Sequence, residues 1–284
     1  MRDNRLEKRV EFDATVGQVW EAVSTGHGMS SWFVPHDITP PVNETDLPTA
    51  EADFGSGNTD QGRVLTWDPP HMVRYGGEAH NPTEALEFFV EPKENGGTVL
   101  RLVQSGVLGE EWEMEYHAKG WDLFFHNLDS YFRHFAPNRA TNALAMAFTT
   151  IDAHAVWDRY HTALGTDRNL RIGSPVNLTP EGVEPIRGEV DLYEADSTLG
   201  IRTDDGLYRF SGEGNRAWGM VNAFHYRYGT DVDAMEWTQT WQDWLASLFP
   251  SSETPPSRQS PEKPSLHRVG PVPRLRGPVL PRPR

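Results

Sequence analysis

Cysteine is missing from all 284 residues. Its absence excludes disulfides, thiol nucleophiles, thiolate zinc sites and iron–sulfur ligation. No apolar run approaches the roughly 20 residues of a membrane-spanning helix, so no membrane insertion is expected. The stretch 1–9 is charged throughout and lacks the apolar core of a signal peptide, which makes a cytoplasmic location the expectation. Enzymatic signatures are equally scarce. There is no H-E-x-x-H, no Gly-x-Ser-x-Gly elbow, no P-loop and no dinucleotide glycine pattern. Gly55-Ser56-Gly57-Asn58 is glycine-rich without the required spacing. His154 and His161 are two helical turns apart, too far for one metal ion, and read as surface histidines. No metal and no cofactor are expected. Asn43-Glu44-Thr45 and Asn177-Leu178-Thr179 match the glycosylation pattern but carry no meaning in the cytoplasm.

Charge is present and unevenly divided. Residues 250–284 hold seven Lys/Arg against two Glu, leaving 19 basic and 39 acidic residues in the first 249. So acidic a body repels phosphate backbones, and no nucleic-acid partner is expected. The acidity reads first as solubility. The tail from 250 onward has ten Pro, no aromatic ring and no apolar period, so it is expected to be a disordered Pro/Arg-rich segment.

The remaining length suits two domains at roughly 150 residues each. Aromatics make up 11% of the chain, enough for a sizeable core in both. Residues 1–136 begin with a strand over Leu6–Phe12, then apolar residues at helical spacing over Val16–Val23 and a short helix around His27–Phe33. Strands are expected at Gly62–Trp67, Met72–Tyr75, Glu84–Glu91 and Thr98–Gln104, with turns at Pro69-Pro70 and Asn95-Gly96-Gly97. A long helix closes this part, its stripe formed by Trp121, Phe124, Phe125, Leu128, Tyr131 and Phe132. The acids Glu110, Glu111, Glu113 and Glu115 are placed just before it, where they favour a helix N-terminus. Residues 140–249 repeat the order: a strand at Ala143–Phe148, a helix at Ala153–Leu164, then strands at Ile186–Tyr193, Leu199–Thr203, Gly206–Ser211 and Trp218–Tyr226. The final helix carries Trp237, Trp241, Trp244, Leu245 and Leu248 on one face. Val-Trp recurs at Val19-Trp20 and Val156-Trp157, and the second copy is about 20 residues shorter.

This order of elements, α+β with each antiparallel run closed by a long helix, resembles the helix-grip fold of the START-like (SRPBCC) superfamily. Particular words are similar to the branch of activator of Hsp90 ATPase homologues. They are Val19-Trp20-Glu21-Ala22-Val23, Trp32-Phe33, the run from Gly62 to His71 leading into Val73-Arg74-Tyr75, the run from Gly96 to Gly106, and Gly120-Trp121. The resemblance covers about residues 5–135 and is weaker over 140–249, where it rests on element order and the second Val-Trp. It implies tandem curved antiparallel sheets, each wrapped around a C-terminal helix, with an elongated apolar cavity between sheet and helix. Activation of Hsp90 is not implied, because the eukaryotic activators carry a further chaperone-binding domain ahead of this one.

The candidate ligand-binding residues are Trp32, Phe33, Tyr75, Leu102, Gln104, Trp121 and Phe125. Side-chain alternation puts Leu100, Leu102 and Gln104 on one strand face, so Gln104 is a polar group on an apolar wall. Tyr75 brings a hydroxyl able to orient a ligand. The same residues read first of all as core, with structural hydrogen bonds for Gln104 and Tyr75. The expected partner is a small apolar molecule, a lipid or an aromatic metabolite. The alternatives are a protein-interaction or stress-response module and a cyclase- or aromatase-type enzyme. The cavity is expected in the first half. There the long segment between Trp32 and Gly62 reads as a lid or disordered cover, while three Trp should fill the shorter second half.

Overall fold

The computed structural model describes residues 5–39, 46–55, 59–76, 85–94, 96–106, 111–213 and 219–250. The expectations for the tail, for 1–4 and for most of the Gly55–Asn58 run lie outside those residues. The first half runs β1 (Arg5–Phe12), α1 (Val16–Ser24), α2 (Gly26–Ser30), β2 (His36–Thr39), β3 (Thr49–Asp53), β4 (Thr59–Asp68), β5 (Met72–Gly76), β6 (Ala85–Pro92), β7 (Thr98–Ser105) and α3 (Glu111–Ser130), which ends in a π-helical turn, Tyr131–Phe135. The second half runs β8 (Ala140–Thr149), α4 (Ala153–Leu164), β9 (Pro175–Leu178), β10 (Ile186–Glu194), β11 (Thr198–Arg202), β12 (Gly206–Glu213), β13 (Gly219–Tyr228) and α5 (Ala234–Leu248).

Each half forms one antiparallel sheet, seven strands in the order β1-β7-β6-β5-β4-β3-β2 and six in the order β8-β13-β12-β11-β10-β9. In both, the first strand closes onto the last: Phe12 faces Thr98 in one and Ala140 faces Tyr228 in the other. That shared closure makes the chain a tandem of helix-grip domains. Two expectations need correction. The segment between Trp32 and Gly62 is not a bare cover, because β2 and β3 extend the first sheet there. Their short polar stretches, His36-Asp37-Ile38-Thr39 and Thr49-Ala50-Glu51-Ala52-Asp53, lack the apolar run by which a strand is recognised. Likewise α3 starts at Glu111, so Glu111, Glu113 and Glu115 stand within its first turns rather than ahead of it.

Local chemistry sets the helix ends. Thr15 and Gln18 form a reciprocal capping box at α1, with Gln18 N donating to Thr15 Oγ1 at 3.2 Å and Thr15 N to Gln18 Oε1 at 2.9 Å. Asp152 and Asp233 accept from the free backbone N–H groups that open α4 and α5. Gly165 ends α4 at φ 69°, a left-handed conformation that costs glycine nothing.

The halves share one compact body. Side chains alternate along the second sheet, and both of its faces are buried. Ala143, Ala145, Ala147, Val221, Ala223 and Phe210 pack under α4 and α5. Small residues on β8 let α5 lie close. Gln242 on that helix then binds the edge strand through Met146, accepting from its N–H at 3.2 Å and donating to its C=O at 2.9 Å. The opposite face, with Leu207, Phe224, Tyr226 and Tyr228, joins the core of the first half.

Candidate functional site

The first candidate site is the wall of the first sheet facing α3. Register places Phe88 beside Leu102 and Leu86 beside Gln104 on neighbouring strands. Alternation turns Leu100 and Leu102 toward the helix, where both are fully buried. From α3, Trp121, Phe125 and Leu128 face the same wall, one helical turn apart. Trp32 and Phe33 follow α2 and reach in from the side.

These residues do come together. The Trp32 ring stacks on Phe125 at 6.0 Å, Phe33 stacks on Trp121 at 5.1 Å, and Phe88 meets Trp32 and Trp121 edge-on, each at 6.2 Å. Offset and edge-to-face pairs of this kind add about 0.5–1.5 kcal/mol each beyond burial. The two polar candidates are engaged by the protein itself. Gln104 Oε1 accepts from Trp121 Nε1 at 2.8 Å, and the Tyr75 hydroxyl donates to the Val23 carbonyl at 2.8 Å. Burial pushes the Tyr75 pKa up, away from neutral pH. Gln104 therefore orients a ring, and Tyr75 ties the sheet to the end of α1.

Trp32 is held from an unexpected direction. The last carbonyls of α2 have no helical partner. Asn142 Nδ2 donates to Ser30 O at 2.9 Å, the Tyr228 hydroxyl to Ser31 O at 2.8 Å and the Tyr226 hydroxyl to Trp32 O at 3.0 Å. All three donors belong to the second sheet, so the second half fixes the backbone that presents Trp32 and Phe33.

Beneath these contacts lies a buried polar network. Arg209 is 2% exposed and makes two bonds of 2.8 Å to the Asp191 carboxylate. Its Nε donates to Asn127 Oδ1 of α3 at 2.7 Å, and His126, next to Asn127, reaches Asp191 at 3.3 Å. Burial alone would raise the Asp191 pKa, but the Arg209 guanidinium and His126 together hold it at about 2. The sequence offered one signal for this: a basic residue flanked by the aromatic Tyr208 and Phe210 within a strand.

A groove of about 220 Å³ lies in the second half, lined by Tyr208, Trp237 and Trp241, by Val183 and Val232, and by Arg227, Glu184, Asp233, Glu236 and Thr240. It runs against the expectation that tryptophans fill this half. Trp244 does pack inward against Tyr160 and Phe210, but Trp237 meets Tyr208 only edge-on, at 86°. Edge-on rings on the first turns of α5 leave open the space beside residues 182–184. His161 also departs from the surface reading. It is 5% exposed, in contact with Trp157, and both ring nitrogens lack partners; burial lowers its pKa. Among the described residues no group of side chains could hold a metal ion, and no helix is long and apolar enough to cross a membrane.

Together the two sheets and their closing helices form a tandem helix-grip fold. Residues 13–133 match the family model described as Activator of Hsp90 ATPase homolog 1-like protein. No curated protein sequence is a significant match. Among solved structures, protein MLL2253 from Mesorhizobium loti is similar at 20% identity over 45% of this chain and 96% of its own, with a TM-score of 0.39. The Aha1 dimer from Colwellia psychrerythraea is similar at 19% identity, 45% and 94% coverage and a TM-score of 0.38. DynU16, from the dynemicin biosynthetic locus, is similar at 17% identity over 87% of this chain and 96% of its own, with a TM-score of 0.41.

Proposed function

We propose that the protein binds a small apolar molecule, a lipid or aromatic metabolite, between the first sheet and α3, with Trp32, Phe33, Tyr75, Leu102, Gln104, Trp121 and Phe125 as the contacts. The observation that supports this is the chemistry of the wall. Its faces are aromatic and aliphatic, and its two polar side chains are already bonded to protein partners. Such a surface selects by shape and ring stacking rather than by charge. Since the rings touch one another, a ligand enters by parting the Phe33–Trp121 and Trp32–Phe125 pairs. Tyr75 donates its hydroxyl to Val23 and is driven away from ionisation by burial, so it has no proton to exchange near neutral pH. The reading is therefore carriage, not conversion.

Native mass spectrometry of the purified full chain, with titration of a fluorescent apolar probe, tests this. Copurified ligand or saturable probe uptake is expected, with uptake abolished by Leu102→Trp or Phe125→Trp in a folded protein. Unchanged uptake in both variants would place the ligand elsewhere.

A further inference from the structure

The two sheets end in four edge strands, and three of these are blunted. β2 and β9 have four residues each, and β9 opens on Pro175, which has no N–H to offer. β8 is bracketed by Gln242, which bonds both the N–H and the C=O of Met146. The fourth, β1, is eight residues long and pairs with β7 on one side; among the described residues no strand pairs with its other side. Its burial is that of an open edge. Arg5, Glu7, Arg9 and Glu11 are exposed on the outer face. On the inner face Leu6 and Val10 are only half-buried, whereas Leu100 and Leu102 of β7 are fully buried. One charge on this strand lacks an answer. Glu7 reaches Arg101 at 3.5 Å and Glu11 reaches Lys93 at 2.7 Å. Arg9 faces Arg101 across the ladder, a like charge, and forms no salt bridge among the described residues.

We propose that β1 is an interface between two copies of this chain, paired antiparallel about Lys8, so that Arg5 of one copy faces Glu11 of the other and Glu7 faces Arg9. The register follows from symmetry. A two-fold axis perpendicular to the sheet keeps outer face with outer face, and it passes beside a residue that meets its own copy. Centred on Glu7, the pairing sets Arg5 against Arg9 and Glu7 against itself. Centred on Arg9, it sets Glu7 against Glu11 and Arg9 against itself. Centred on Lys8, every outer pair is opposite in sign and Leu6 meets Val10 on the inner face. Lys8 then meets Lys8, but its side chain turns inward to Asp122 of α3, so the central charge is already answered. Arg9 gains the acid that its own chain does not set opposite it. The joined strands make one antiparallel sheet across both copies. A single strand edge is a small interface, so a reversible dimer populated at about 100 µM is expected.

The test uses the full chain. Sedimentation equilibrium should show monomer and dimer in exchange, with dimerisation weakened by added salt because exposed charge pairs are screened. Glu7→Arg sets like charges against Arg9 twice, by symmetry, and should weaken dimerisation about tenfold. Adding Arg9→Glu to it makes the pair opposite in sign again and should return the parent affinity, a reversal that a misfolded variant cannot produce. Because the chain has no cysteine, introduced thiols give a second measurement that does not depend on those charges. Lys8→Cys brings two thiols together across the axis, where facing Cα atoms stand about 4.5–5.5 Å apart, and mild oxidation should yield a covalent dimer. Glu11→Cys sets each thiol opposite Arg5, roughly 20 Å from the other thiol, and should not cross-link. A chain that stays monomeric at about 100 µM, or a dimer indifferent to Glu7→Arg, would overturn the proposal. Equal cross-linking at positions 8 and 11 would overturn it as well.

Discussion

The two halves solve the same construction differently. The first sheet meets α3 through rings stacked on one another, with every polar group on that wall bonded to the protein. The second sheet meets α5 through an alanine-rich strand, which brings the helix close but leaves its first turns standing over a groove with unpaired donors. One sheet is covered by helices on one face, and the other is buried on both. A duplicated plan thus yields a ring-lined wall in one copy and a central slab with a polar-lipped groove in the other. What a copy can bind depends on what its neighbour covers.

The comparison can be broken most severely at the shared seam. Arg209→Ala strands the Asp191 carboxylate in the interior and should cost about 3–5 kcal/mol in urea unfolding. Combining Arg209→Met with Asp191→Leu should restore most of it, because no charge is then left buried. A single variant that unfolds like the parent would mean the halves do not depend on this network. Next comes packing. Leu245→Trp, in the core under α5, should destabilise by about 1–3 kcal/mol through overpacking, whereas the groove-side Val183→Trp should cost less than 1. Equal losses would show that the second half has no spare volume.

Acid sharpens the contrast. The folded Asp191 pKa lies below its unfolded value, so its contribution is present above about pH 4 and lost as pH falls toward 2, on the order of 2 kcal/mol. His225 behaves in the opposite chemical sense with the same outcome. Burial lowers its pKa well below the ordinary value, so the unfolded chain takes up the proton first. Stability should therefore begin to fall below about pH 6.5, the unfolded histidine value. Thermal melts across pH 3–7 check both slopes. Asp191→Asn should remove the lower one and His225→Gln should flatten the upper. A modest effect is expected at the entry to the first half, where Thr15→Ala deletes the capping box of α1 for about 1 kcal/mol. A melt that does not move would mean the first-half core alone holds that helix.

Most elements were legible in the sequence because they carry a period. Val16–Val23, Ala153–Leu164 and the aromatic stripes of α3 and α5 announce their buried faces, and the alternating strands their sheet. The strands β2, β3 and β9 were not legible, since four- and five-residue polar segments become strands only by pairing with a neighbour. Residues of the first candidate site were legible as a set, but their contacts were not. Gln104 reads as a polar group on an apolar wall until its partner, Trp121, stands 2.8 Å away. His161 reads as a surface group until Trp157 covers it.

By itself, then, the sequence determined the class of fold, the repeat and the aromatic faces, all of which depend on the local order and spacing of residues. Only the tertiary structure decided that the second sheet would be buried on both sides, that Tyr226 and Tyr228 would hold the backbone of Trp32 and Ser31, and that open volume would lie beside Trp237 and Trp241. The reason is physical. Periodicity is a local property of the chain, but a cavity is a difference between the volume a shell encloses and the volume its side chains occupy. Both volumes are set by elements far apart in sequence.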